Sequence, residues 1–298
     1  MISRTRYSAF GLIIESEIPC PDFAASEGKP DVTVCRGTVP ATLGREAEKG
    51  ARYEVSEDAF LLTVDGIGRY LVDGSEKIVV EASVGVSDSD LFAFLTGSPL
   101  AALLIRKGML VLHAAVIERD GRAIALAGPS GSGKSHLAAT LIRQGFRLLS
   151  DELCALQVAP GGAAMAAPGF PALHVWRSTL AELGVEGLSL RKVRAGMEFF
   201  SLPAESRFAE KNTPLAAVLL LRSPWYPLPA GVVGSPARKL EALLQVTYRL
   251  SFLGSSARRR EHLQACASVA RVCEFENISD DPSAGAVVRA WERRTEWP

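Results

Sequence analysis

The chain has 298 residues, 48% of them hydrophobic and 22% charged, which is long enough for about two domains and too apolar for disorder. Its 33 Lys and Arg balance 33 Asp and Glu, excluding the basic excess that binding to nucleic acid or an anionic membrane surface requires. The balance is uneven: residues 1–110 hold 11 basic and 16 acidic groups, whereas 111–298 hold 22 and 17, so an anionic ligand is sought in the second part.

The first eighty-odd residues read as strands. Gly11–Glu15, Asp31–Cys35, Arg52–Val55, Ala59–Val64 and Lys77–Glu81 carry β-branched or aromatic residues between Gly, Pro and Asp punctuation. Asp65-Gly and Asp73-Gly are hairpin-turn pairs. Residues 88–107 read as helical with a break at Gly97-Ser-Pro99. Leu91, Phe94 and Leu95 share one face, as do Leu100, Leu103 and Leu104. These patterns predict a smaller strand-rich domain over 1–86 and an α/β domain over 87–298.

The second part opens with a hairpin, Leu110–Glu118 and Ala123–Ala127, joined by Arg119-Asp-Gly-Arg122. A glycine-rich loop and a helix from Lys134 to Gln144 follow, closed by Gly145. Phe146–Ser150 is a short strand ending at Asp151-Glu152, and Ala159–Gly169 is a loop by its Ala, Gly and Pro content. Leu215–Leu221 is a buried strand and the longest apolar run, far short of the ~20 residues that cross a bilayer. Three prolines in Pro224–Pro229 exclude regular structure, and Trp225 and Tyr226 there are either a loop plug or an aromatic contact surface. Amphipathic helices are expected at 238–253 and 257–271, finishing the chain.

No signal-peptide core is expected, because Glu15 and Glu17 interrupt the apolar stretch nearest the N-terminus. Cys20, Cys35, Cys154, Cys266 and Cys273 are odd in number and lack a CxxC pair, which reads as reduced thiols in a cytoplasmic protein. The four histidines form no HExxH pair.

Chemistry is concentrated at Gly128-Pro129-Ser130-Gly131-Ser132-Gly133-Lys134-Ser135, a complete GxxxxGK[ST] phosphate loop between a hydrophobic strand and an amphipathic helix. Its glycines let backbone amides approach a phosphate, and the helix N-terminus adds partial positive charge. Lys134 is placed to reach the β- and γ-phosphates, and the Ser135 hydroxyl to ligate Mg²⁺. Such a loop reads phosphates and leaves the base unread, so ATP is expected with GTP not excluded. Asp151 and Glu152 end the next strand, where one carboxylate can hold Mg²⁺ and the other accept a proton. A helix cap or solvated turn is the plainer use of such a pair. His136, on the first helical turn, faces either the nucleotide or the surface. Arg258–Arg260 read as a solvated helix face or a contact for an acidic peptide.

The run from His113-Ala-Ala through Gly128–Ser135 to Arg143-Gln-Gly145-Phe-Arg-Leu-Leu-Ser-Asp151-Glu152 resembles the catalytic core of HPr kinase/phosphorylase, over about forty residues. That resemblance implies an HPr kinase-like phosphate-loop fold, a serine kinase using ATP and Mg²⁺, His113 as a site residue and Glu152 as the catalytic acid position. It also implies a homo-oligomer. Glu152 stands where the family has Asp, and no Glu-x-Arg-Gly segment occurs near Pro171-Ala-Leu-His-Val-Trp-Arg177. Arg207 and Lys211 are candidates for the family's later arginine. With its Tyr7-x-x-Phe-Gly-Leu12 opening, the chain looks more like the divergent relatives in peptide-modification clusters, including the lasso-peptide kinases, whose acceptor is a serine of a precursor peptide. The alternatives are a true HPr serine kinase and a nucleotide-binding switch or scaffold with hydrolysis only.

Overall fold

The computed structural model describes residues 4–159, 163–221, 234–278 and 280–293, and its architecture is mixed α/β around two large sheets. The Pro224–Pro229 stretch with Trp225 and Tyr226 lies outside the described residues.

Nine strands make the first sheet: β1 (Thr5–Ala9), β2 (Leu12–Ser16), β3 (Ala24–Ala25), β4 (Val32–Arg36), β5 (Glu48–Lys49), β6 (Tyr53–Val55), β7 (Ala59–Val64), β8 (Gly68–Asp73) and β9 (Lys77–Ala82). Their order is β3-β1-β2-β4-β9-β8-β7-β6-β5, antiparallel except where β4 pairs with β2 and β9. The expected strands are present to within a residue at each end. The sequence pattern named no strand at β1, β3, β5 or β8; the hairpin of β1 with β2 turns at Phe10 and Gly11 with φ of 55° and 71°. A positive φ is unusual for so bulky a residue. Phe10 is fully buried there, its amide donating to the Pro168 carbonyl at 2.6 Å.

Buried residues alternate along β2 (Leu12, Ile14), β8 (Tyr70, Val72) and β9 (Ile78, Val80), the period of a sheet covered on one face. The cover is α1 (Asp88–Leu95) and α2 (Ser98–Arg106), whose Leu91, Phe92, Leu95, Leu100, Leu103 and Leu104 enter the same core. Ser87 caps α1 by accepting from the Asp90 amide at 3.1 Å, and Pro99 stands in the first turn of α2, where an amide donor is not needed. The division read near residue 86 assigns these helices to the second domain, whereas their packing groups them with the first sheet. The same core runs on into Leu153, Ala155, Phe170 and Phe252. No single helix among the described residues is long and apolar enough to cross a membrane. The α1–α2 pair passes by length and composition, but it is bent by 43° and its apolar residues are buried in this core.

The second part contains β10 (Leu110–Arg119), β11 (Arg122–Ala127), α3 (Lys134–Arg143), β12 (Arg147–Ser150), β13 (Leu153–Val158), β14 (Ala164–Ala166) and β15 (Ala172–Trp176). It continues with α4 (Arg177–Glu182), β16 (Phe199–Pro203), β17 (Thr213–Leu220), α5 (Pro236–Val246), α6 (Ser256–Val272), β18 (Glu274–Asn277) and α7 (Ala284–Glu292). β10 is the long antiparallel strand of the second sheet. One end pairs with β13, and the other lies between β11 and β12. β11, β17 and β18 are parallel. The sheet of this α/β part is therefore mixed. α5 and α6 cover one face through Leu243, Val246, Cys266 and Val269. α3 and α7 cover the other through Leu137, Leu141 and Val287.

Three expectations are corrected. The loop read over Ala159–Gly169 contains β14, which pairs with β13 and β17. The helix expected to 253 stops at Val246, because the Tyr248 amide donates to the Val111 carbonyl at 2.9 Å and Arg249 turns left-handed with φ 51°. The chain does not finish on α6, since β18 extends the sheet beside β17 and α7 packs on α3. The cysteines make no disulfide, and burial pushes the thiols of Cys20, Cys266 and Cys273 up to about 12.

Leu104 is fully buried between α2 and the first sheet. Leu104→Ala is expected to cost about 2–5 kcal/mol, read as a lowered urea midpoint by circular dichroism.

Candidate functional site

β11 and β12 flank β10 and both run antiparallel to it, so their carboxyl ends lie on the same side. The glycine-rich loop leaves the end of β11 and the acidic pair leaves the end of β12. Because β10 runs the other way, His113, just before its Ala114↔Ala127 pairing, falls at this edge too. Pairing direction alone thus gathers the three motifs.

In the loop, Gly131 and Gly133 have φ of 81° and 87°, where a side chain is strained. Gly128 is needed for space: a Cβ there would stand 2.6 Å from the Leu221 carbonyl oxygen. Lys134 opens α3 and folds back, its Nζ donating to the Gly128 and Pro129 carbonyls at 2.9 Å each. Burial pulls its pKa down to about 8, against the pull of the Asp151 and Glu152 carboxylates. The Ser132 hydroxyl is buried under the loop, with no hydrogen-bond partner among the described residues.

Ser135 donates its hydroxyl to Asp151 Oδ1 at 2.9 Å, and the His174 amide donates to Asp151 Oδ2 at 2.9 Å. Asp151 is 2% exposed, and both its oxygens are satisfied, as a buried carboxylate requires. Glu152 follows with φ 63° inside a turn closed by the Leu153 amide on the Asp151 carbonyl at 2.7 Å. The Ala114 amide donates to the Glu152 carbonyl at 3.2 Å, which fixes that turn against β10. A left-handed non-glycine residue costs about 1–2 kcal/mol and persists where its surroundings over-determine it. Burial pushes the Glu152 carboxyl above its ordinary 4.5, with nearby Asp151 adding to the rise and His174, Lys134 and Arg194 opposing it.

Three adjoining cavities meet at Glu152. The first, about 520 Å³, is lined by Ser130, Gly131, Gly133, Lys134, Ser135 and His136 on one side and by Asp151, His174 and Arg194 on the other. The second, about 330 Å³, lies between Gly128-Pro129-Ser130 and the Gln245–Arg249 segment. The third, about 320 Å³, opens toward the first sheet. His113 lines the first two, its ring edge-on to Tyr248 at 5.8 Å. Burial, with Lys134 and Arg249 adding to it, lowers its pKa to about 3, so the imidazole is neutral near pH 7. His136 Nε2 stands 3.4 Å from Glu182 Oε2 at the cleft rim.

Arg207 and Lys211 line none of these cavities, and neither do Arg258–Arg260. Arg259 instead pairs with Glu48 of the first sheet at 2.5 Å. Besides Lys134, the cations lining these cavities include Arg194 and Arg249, which sequence reasoning missed, as it missed Tyr248, His174 and Asp22. Among the described residues no group of three or more His, Cys, Asp and Glu is arranged to hold a metal by itself. Mg²⁺ is commonly held by one or two carboxylates, with substrate phosphates and water completing the shell. The Ser135–Asp151 pair at the mouth of the loop suits that donor set.

Asp22, from the loop after β2, reaches under the site. Its Oδ2 is 3.0 Å from His174 Nε2 and accepts from Arg191, while Oδ1 accepts from Ser201 at 2.7 Å. Burial pushes the Asp22 carboxyl up, but His174, Arg191 and Ser201 outweigh it and hold it at about 2. A depressed carboxylate stabilises the fold above its unfolded value of 3.8, and that stability is lost as pH falls toward 2. Wild-type stability is expected to drop by about 2 kcal/mol more than that of Asp22→Asn between pH 4 and pH 2. Urea midpoints across that range measure the difference, with Asp22→Asn starting lower and running flatter.

No family model matches the sequence, and no curated protein is similar to it. Among solved structures, the Hpr(Ser) kinase/phosphatase from Coxiella burnetii is similar over 41% of this chain and 71% of that one, at 15% identity and a TM-score of 0.28. A likeness at that score carries no argument about this chain.

Proposed function

We propose that the chain is a kinase that transfers the γ-phosphate of ATP to a serine hydroxyl of a peptide or small protein, a lasso-type precursor peptide being the acceptor favoured by the sequence resemblance. The observation that carries this reading is the single edge at which a complete phosphate loop, the Ser135–Asp151 hydrogen bond and the left-handed Glu152 come together. The loop amides and Lys134 bind the β- and γ-phosphates once Lys134 exchanges the Gly128 and Pro129 carbonyls for phosphate oxygens. Mg²⁺, held by Ser135 and Asp151 with phosphate oxygens, would neutralise charge on the transferring group. Glu152 accepts the serine proton as the hydroxyl oxygen bonds to the γ-phosphorus, and the bond to the β–γ bridging oxygen breaks to release ADP. Its raised pKa suits a base that must hold a proton during transfer. Neutral His113 adds no positive charge at the junction and packs the Tyr248 wall.

Lys134→Ala and Glu152→Gln are each expected to abolish the gain of one phosphate by acceptor peptides in mass spectrometry, while Glu152→Gln still binds ATP. Near-normal turnover in Glu152→Gln removes Glu152 as the base. ATP hydrolysis with no phosphate transferred to any serine peptide is the behaviour of a nucleotide switch and overturns the kinase reading.

Nucleotide phosphates raise the pKa of Lys134 from about 8, so binding takes up about half a proton at pH 8 and more just above it, and affinity falls as pH climbs through that value. Calorimetry in two buffers of different ionisation enthalpy measures the uptake. Binding without proton uptake at pH 8 means that Lys134 does not meet the phosphates.

A further inference from the structure

β15 buries Leu173, His174 and Val175 and then ends on Trp176, which stays 50% exposed. Of the large apolar side chains left exposed among the described residues, Trp176 alone lines one of the three cavities at Glu152. That cavity is the one of about 520 Å³, bordered by the phosphate loop. Trp176 stands opposite Phe199 in the β15–β16 pairing, with ring centroids 5.0 Å apart and planes at 42°. Phe199 therefore supports the indole from one side and leaves half of it uncovered.

The walls of this cavity differ in chemistry. Lys134, Ser135, Asp151 and Glu152 make one part polar and charged, whereas Trp176, Met197 and Phe199 bring apolar surface, joined by Thr179 and Glu182 of α4. Glu152 is shared with both neighbouring cavities, and none of those last five residues lines either of them. They therefore border the part of the cavity remote from the junction. The loop amides of a phosphate loop cradle the α- and β-phosphates while its lysine reaches the β- and γ-phosphates. With the γ-phosphate at Glu152, the α-phosphate points away from the junction, toward the rim where His136 Nε2 stands 3.4 Å from Glu182 Oε2. A nucleobase follows one ribose beyond the α-phosphate, which brings it to the outer part of the cavity. An aromatic ring held by its neighbour with one face open meets the π-face of a base at little ordering cost.

We infer that Trp176 is the stacking platform for the nucleobase, so that the outer part of this cavity binds the nucleoside while the loop binds the phosphates. The inference rests on the reading of the glycine-rich loop as a triphosphate site. The ligand it takes is the flat face of a base, held by contact area and not by a hydrogen-bond code. Trp176 then acts on nucleotide affinity and leaves the phosphate contacts untouched.

The test is equilibrium binding to the full-length chain, which does not depend on phosphate transfer. Isothermal titration calorimetry in Mg²⁺ compares ATP with inorganic tripolyphosphate, which has the phosphates and no base. Trp176→Ala is expected to weaken ATP about tenfold, the size of one base–aromatic stack, and to leave tripolyphosphate within about twofold. Trp176→Phe, which keeps a ring, is expected to retain most of the ATP affinity. Trp176→Leu carries the same comparison if Trp176→Ala does not fold. ATP affinity unchanged in Trp176→Ala, or equal losses for ATP and tripolyphosphate, overturns the inference while the phosphate-loop reading stands. Failure of both ligands to bind the wild-type chain overturns the phosphate-loop reading and the platform with it. A selective loss of ATP affinity in a chain that transfers no phosphate overturns the kinase reading and leaves the platform standing.

Discussion

Asp151 has to satisfy three segments of the chain at once. One oxygen takes the Ser135 hydroxyl at the start of α3, the other takes the His174 amide in β15, and the residue itself closes the turn between β12 and β13. A buried carboxylate left without one of its partners costs on the order of 1–3 kcal/mol or more, so these segments hold one another in register. His174 passes the constraint on through its ring to Asp22, and Asp22 adds Arg191 and Ser201. A continuous line of hydrogen bonds therefore runs from the phosphate loop to the N-terminal sheet. Every member of it is partnered, the condition under which a buried polar network specifies one arrangement.

The antiparallel course of β10 is what lets a short turn serve as the centre of the site. β11 and β12 deliver their carboxyl ends to the same edge, and β10 returns His113 to that edge from the opposite direction. Glu152 sits in the tight turn from β12 into β13, where it takes a left-handed conformation clamped by the Leu153 amide and by the Ala114 amide of β10. That clamp holds it at the point where the three cavities join. The backbone strain and the raised carboxyl pKa fall on one residue, as expected where a fold spends stability on a site.

The first sheet is more than an appendage. Phe10 docks on the Pro168–Phe170 loop, Asp22 supports His174, and α1 supplies the ring on which Arg194 stacks. The shared core through Leu153, Ala155 and Phe252 makes those contacts rigid rather than incidental. The Tyr7–Leu12 opening has a physical basis in this arrangement: the Tyr7 hydroxyl accepts from the Cys20 amide at 3.3 Å, and Phe10-Gly11 forms the left-handed turn that reaches the second half.

Sequence alone determined the features whose causes are local. A phosphate loop is contiguous, its glycines answer to backbone conformation, and the strand and helix around it show in the periodicity of their own side chains. The same holds for most strands of the first sheet and for the break at Gly97–Pro99. Tertiary structure decided whatever depends on residues far apart in the chain. Asp22 meets His174 across 152 positions, and Arg194 meets Phe94 across 100. Nothing in the neighbourhood of these residues announces such contacts. β13, β15 and β16 were invisible for the same reason, since their short runs are stabilised by partners and not by their own pattern. The end of α5 at Val246 was set by a hydrogen bond to β10 that no helical pattern encodes. The uneven charge along the chain pointed to the half that holds the phosphate loop, but only the folded chain shows that Arg194 and Arg249 line a cavity with Glu152.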